Sequence, residues 1–209
     1  MKYYVYISDS KVDMLYSQIP KRILDRIAAD LNVNLGIFSL SVKEKENQEK
    51  TRYEKLKLVV NYIENNMEVG TVDEPKAYFT GLLPMRWGEY GVDSGLVYFG
   101  GKTAQTVLGL GGSMTHVIGN RKGESDTHGG SIGADIGAVL SKDLNLPNSF
   151  DDSQFDRIDD ILYTTHLATK RMKGPIQTLE FLAKRLAEGI YSDKSHVVLG
   201  TPLYVAMVN

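Results

Sequence analysis

The 209-residue sequence predicts an α+β protein, a mainly antiparallel sheet with helices packed chiefly on one face. Three stretches carry that reading. Tyr3 to Ile7 is a β-rich run closed by Ser8-Asp9-Ser10, a turn and helix N-cap signal. Lys76 to Leu83, Leu96 to Phe99 and Thr103 to Leu110 are successive short strand patterns, as in an antiparallel meander. The closing segment, HVVLGTPLYVAMV, is apolar on both alternating sets, as a central strand is.

The other elements follow in order. Val12, Leu15 and Ile19 share a helical face until Pro20, which suits the first turn of a second helix burying Ile23, Leu24, Ile27 and Leu31. Val33 to Val42 alternates as a strand. Residues 43–58 are the wet face of a helix whose other face is Tyr53, Leu56, Val60, Ile63 and Met67, with an end near Gly70. Trp87 is expected in a long turn between two strands. Ile132, Ile136, Val139, Leu140 and Leu144 describe a helix that Ser131 starts. Phe155 to about Thr169 is a further helix or a helix plus a strand. Pro175 opens a last helix with Ile176, Leu179, Ala183 and Leu186 inside and Gly189 after its end. With no repeat and no linker, residues 1–209 are expected to form a single α+β domain.

Bulk properties narrow the class. A 42% hydrophobic, 24% charged composition is that of a globular chain. The sequence has no cysteine, which excludes disulfides and thiolate metal sites. No stretch approaches the ~20 apolar residues of a membrane helix, and the start lacks a signal-peptide core, so a cytoplasmic protein away from membranes is expected. A net charge of −2 gives no general attraction to nucleic acid. The basic cluster Lys170, Arg171 and Lys173 fits a solvated helix end.

Candidate chemistry concentrates between Tyr98 and Gly137, where eleven of the chain's 20 glycines fall. Gly95 to Thr103, GLVYFGGKT, approaches a phosphate-binding loop but has one residue too many before its GK pair and a strand sequence inside it, so Gly100-Gly101-Lys102 fits a hairpin turn. GLGGS at 109–113 lacks the third glycine of a dinucleotide fingerprint, although amides freed at Gly111 and Gly112 suit an anion or a tight turn. GGSIG at 129–133 matches the nucleophile-elbow pattern around Ser131, but NRKGESDT precedes it where a buried strand is needed. Ser113 has the strand and lacks the second glycine. His116 and His128 are close enough in sequence to converge, yet their spacing matches no metal signature, and no metal or cofactor is expected. The acids from Asp151 to Asp160 suit a helix start rather than a calcium loop. Ser8 to Lys11, SDSK, passes from a strand into a helix and also suits an anion.

The blocks YYVYISDSKVDML, AYFTGLLPMRWG with VYFGG, LGLGGSMTHVIG, and FLAKRL with LGTPLYVA resemble a bacterial family of unassigned function, in the same order and over nearly the whole chain. The resemblance implies a short cytoplasmic protein and brings no activity or site residues with it. The opening strand–turn–helix is also similar to that of other uncharacterised bacterial proteins linked to signalling or defence systems, by analogy alone.

The leading expectation is a non-catalytic binding module that senses a small anionic, nucleotide-like ligand or docks a partner protein. Gly111, Gly112, Ser113, His116, His128 and Ser131 are the candidate ligand residues, with Lys11 and Arg86 as charge partners. One alternative is a hydrolase, either a serine esterase using Ser131 or Ser113 or a histidine-dependent phosphoesterase. Another is a structural or assembly subunit.

Overall fold

The computed structural model describes residues 2–35, 45–91, 93–120, 133–146, 158–191 and 195–208. The chain divides into two compact units, Ser8–Val69 and a larger one formed by Met1–Ile7 with Gly70–Asn209.

The smaller unit is helical: α1 (Asp9–Gln18), α2 (Lys21–Asp30) and α3 (Lys45–Asn66). Pro20 stands at the N-cap of α2, where its missing N–H costs nothing. Ile27 and Ala28 of α2 pack with Leu58 of α3, flanked by Tyr16, Ile23, Leu24 and Tyr62. Arg52 pairs with Asp9, and Lys55 Nζ lies 2.7 Å from Asp13 Oδ1. Such partly exposed pairs fix register more than they stabilise, at about 0–1 kcal/mol each. Of the expected strand from Val33 to Val42, Val33 to Leu35 lie outside any strand, and 36–42 lie outside the described residues.

The larger unit is built on β1 (Lys2–Ile7), β3 (Tyr78–Glu89), β4 (Leu96–Lys102), β5 (Thr106–Ser113), β6 (Gln177–Ile190) and β7 (His196–Val208), with the two-residue β2 (Val69–Gly70) beside β3. β3, β4 and β5 form the expected antiparallel meander. β6 pairs antiparallel with both β3 and β7, and β7 pairs parallel with β5, so β3-β4-β5-β7-β6 closes into a ring. One edge of β7 serves two partners: His196–Gly200 pairs with β5, and Tyr204–Val208 pairs with β1. The result is a seven-stranded, mostly antiparallel, barrel-like sheet in a mixed α+β fold.

Alternation along the strands fills the two faces. Phe79, Phe99, Leu110, Phe181, Val198 and Val205 belong to the cluster inside the ring. Tyr98, Leu96, Val197 and Leu199 point the other way and pack with Ile136 and Leu140 of α4 (Gly133–Asp143) and Leu162 and Ala168 of α5 (Ile158–Arg171).

Four sequence expectations are corrected here. Residues 177–190 form β6, not a helix opened by Pro175. Its Leu, Ala, Glu and Lys content favours a helix locally, but Leu179, Phe181 and Ala183 also alternate, and hydrogen-bonding partners on both edges decide for strand. Trp87 is a strand residue paired with Phe99, with the rings stacked 5.7 Å apart, and not part of a turn. Gly100-Gly101-Lys102 is the end of β4 rather than a hairpin turn, because Gly100 pairs with Arg86 on one side and Gly109 on the other. Gly111 and Gly112 lie in β5, which runs on past the expected strand end at Leu110, and not in a tight turn.

Those glycines are where neighbouring groups press on the sheet. A Cβ on Gly109 would collide with the Tyr98 hydroxyl, one on Gly111 with Ile136, and one on Gly112 with the Tyr6 hydroxyl. A Cβ on Gly100 would meet Met172 Sδ at 2.8 Å and Thr169 Cα at 3.2 Å. Gly100 and Gly109 are register partners, so together they form a shallow bed on which the C-terminal half of α5 rests.

Candidate functional site

Where the end of α5 crosses that bed, the outer face of β3 and β4 is left partly open. The resulting cleft has a volume of about 650 Å³, with Ile176 and Ser195 among its lining beside three larger contributors. The sheet supplies Pro84, Arg86, Gly100, Gly101 and Lys102; the β4–β5 turn supplies Thr103 to Gln105; and α5 supplies His166, Thr169 and Lys170. This is within the ordinary range of small-molecule sites.

Its charge is one-sided. Arg86, Lys102 and Lys170 line it, and no Asp or Glu does among the described residues. Lys102 and Lys170 are exposed and make no ion pair with a described residue. Lys170 sits in the last turn of α5, where the helix dipole favours a cation by ~0.3–1 kcal/mol, so its presence there has a structural reason as well. Arg86 Nε donates to Gly174 O at 3.1 Å, tying β3 to the chain just after α5. Gly174 has φ +112°, a backbone angle that a side chain would oppose.

The turn is tightly organised. Thr103 Oγ1 accepts from the amides of Gln105 (3.1 Å) and Thr106 (2.9 Å) and donates to Asp73 Oδ1 (2.5 Å). Hydrogen bonds from Thr103 and then Thr106 hold the Asp73 carboxyl below the usual carboxylate range. Thr106 Oγ1 is also 2.8 Å from His196 Nδ1, and His196 Nε2 is 3.1 Å from Glu188 Oε1. A hydroxyl, an imidazole and a carboxylate in line are the parts of a nucleophilic triad. Here Thr106 is 1% exposed, so the chain of bonds lies beneath the turn and braces it.

His166 contributes differently. Its Nδ1 is buried without a hydrogen-bond partner among the described residues, and its ring lies 5.7 Å from that of Tyr191. A buried polar atom left unbonded costs about 1–3 kcal/mol.

Of the described sequence candidates, Arg86 alone lines this cleft. Gly111, Gly112, Ser113 and His116 lie toward the opposite end of β5: Ser113 pairs with Leu96, four positions along β4 from the Arg86 partner Gly100. There Ser113 Oγ is 2.9 Å from Thr115 Oγ1 and caps the short 3-10 turn Met114–His116, and the His116 ring meets Tyr6 edge-on at 6.0 Å. Gly112, Tyr6 and His116 are thus brought together around an aromatic hydroxyl. Lys11 belongs to the helical unit, with Nζ 3.2 Å from Ser8 Oγ, and burial lowers its pKa to about 8. His128 and Ser131 lie outside the described residues.

Lys102, Lys170 and His166 are not among the candidate ligand residues of the sequence. The near-match to a phosphate loop at 95–103 includes part of the cleft lining, with another geometry: Gly100-Gly101-Lys102 lines it as a strand end. Among the described residues, no cluster of three or more acids and histidines is arranged to hold a metal, and no helix is long and apolar enough to cross a membrane. No curated protein and no solved structure matches the chain. A family model does match, over residues 2–209, and the chain therefore belongs to DUF7019, a family of unknown function.

Proposed function

We propose that this protein is a non-catalytic binding module that senses a small anionic ligand in the cleft between β3, β4 and the end of α5. The observation that carries the reading is the convergence of Arg86, Lys102 and Lys170 on one concavity whose described lining has no acidic residue. A cation about 4 Å from a ligand charge contributes from about 1 kcal/mol in water to about 4 kcal/mol where solvent is partly excluded. Three of them give a multiply charged anion a gross attraction of about 3–12 kcal/mol, against the roughly 8 kcal/mol that micromolar binding needs. The non-catalytic reading is supported by the burial of Thr106, the hydroxyl of the one triad-like arrangement beside the cleft among the described residues.

Titration calorimetry with inorganic pyrophosphate at low ionic strength tests this. The wild-type protein is expected to bind, the Lys102→Glu/Lys170→Glu variant to lose binding, and His116→Ala to retain it. Equal binding by the wild type and the double variant would dismiss the cleft. Loss of binding in His116→Ala alone would return the site to the Ser113–His116 end of β5.

A further inference from the structure

The cleft is polarised across the strands, and this deepens the anion-binding reading on which it rests. Gln177 of β6 pairs with Met85, so Ile176 stands one residue beyond, level with Arg86. Arg86 pairs with Gly100, and Lys102 follows two positions along β4. Moving from β6 to β4, the lining therefore changes from Ile176 to Arg86 and Pro84 of β3 and then to Lys102, with Lys170 beside them from α5. Ile176 is 57% exposed, an aliphatic side chain left in water at the mouth of a cationic cleft. The β6 contribution to the interior comes instead from Leu179, Phe181 and Ala183.

We infer that the ligand is a nucleoside phosphate lying across β6, β3 and β4, with its base on Ile176 and its phosphates at Lys102 and Lys170. The two strand spacings from β6 to β4 cover about 10 Å, comparable with the reach from a base to its phosphates. Inorganic polyphosphate uses the cationic half alone. Ile176 is then the residue that separates nucleotides from simple anions. Arg86 is a positioning residue, because its bond to Gly174 O holds the segment that presents Ile176.

Calorimetric titration of the full chain with ATP, GTP, CTP, UTP and tripolyphosphate tests the assignment. The wild type is expected to bind at least one nucleoside triphosphate about tenfold tighter than tripolyphosphate, the gain from covering one apolar face. Ile176→Asn should bring that ratio close to one without changing the tripolyphosphate affinity, whereas Lys102→Ala and Lys170→Ala should weaken both ligand types. Ile176 is exposed, so the variant is expected to fold, and its melting curve checks this. A ratio unchanged in Ile176→Asn, or tripolyphosphate binding as tightly as every nucleotide, overturns the inference and leaves the anion site standing. Failure of the wild type to bind any of the five removes the anion site itself.

Discussion

The Tyr98 hydroxyl occupies the space that a side chain on Gly109 would need, and from there it bonds Thr169 Oγ1 at 2.9 Å and lies 3.2 Å from Thr165 O. One glycine on β5 thus lets one tyrosine on β4 reach α5, and α5 forms a wall of the cleft. Gly109→Ala is expected to cost about 1–3 kcal/mol through overpacking. Tyr98→Phe in the same chain should recover part of that loss by removing the nearest clashing atom. Urea unfolding of the two single variants and the double variant measures the coupling.

Gly111 and Gly112 distinguish a packing role from ligand contact. Ile136 and the Tyr6 hydroxyl fill the space beside them, so alanine at either position should lower stability by about 1–3 kcal/mol. Pyrophosphate affinity, measured at a temperature where both variants remain folded, should stay at the wild-type value. Weaker binding at full stability would show that these glycines contact the anion.

The pH dependence of stability has two opposed parts. Burial lowers Lys11 from 10.5 to about 8, so the native state releases this proton before the unfolded chain does. Stability should therefore rise with pH between about 8 and 10.5 and fall as pH drops through about 8. Tyr98 and Tyr90 act the other way: burial raises both, Tyr90 to about 12, so the native state keeps protons that the unfolded chain loses from about pH 10 upward. Their contribution is complete below pH 10 and declines above it. Denaturant titrations across this range should show Lys11→Met flattening the rise and Tyr98→Phe reducing the alkaline fall.

Trp87 is the chain's single tryptophan. It stacks on Phe99, donates from Nε1 to Gln177 Oε1 at 2.6 Å, and adjoins Arg86 in sequence and Ile176 through Gln177. Its emission should change on titration with ATP and saturate at the calorimetric Kd. An unchanged spectrum at saturating ATP would argue against occupancy of the cleft.

The sequence conveyed the class of the fold well, because the strand patterns at β1, β3, β4 and β5, the doubly apolar run of β7 and the amphipathic patterns at α1, α2, α3 and α4 are local properties, whereas α5 was left between a helix and a helix plus a strand. It misled at residues 177–190, where helix-forming side chains were recruited into a strand by partners on both edges. It misled more instructively at the glycines. A run such as LGLGG at 108–112 looks loop-like when read alone, and only the tertiary neighbours Tyr98, Ile136 and Tyr6 reveal a strand stripped of side chains for close approach. The cleft was the least legible part. Arg86 was a candidate by charge, but Lys102 and Lys170 are 68 residues apart and meet only because α5 lies on Gly100 and Gly109.

The most direct measurement is photolabelling with azido-ATP followed by peptide mapping, with unlabelled ATP as competitor. The account predicts competable label on the peptides carrying Pro84 to Arg86 and Ile176. Competable label on residues 109–116 or 8–11 instead would contradict it.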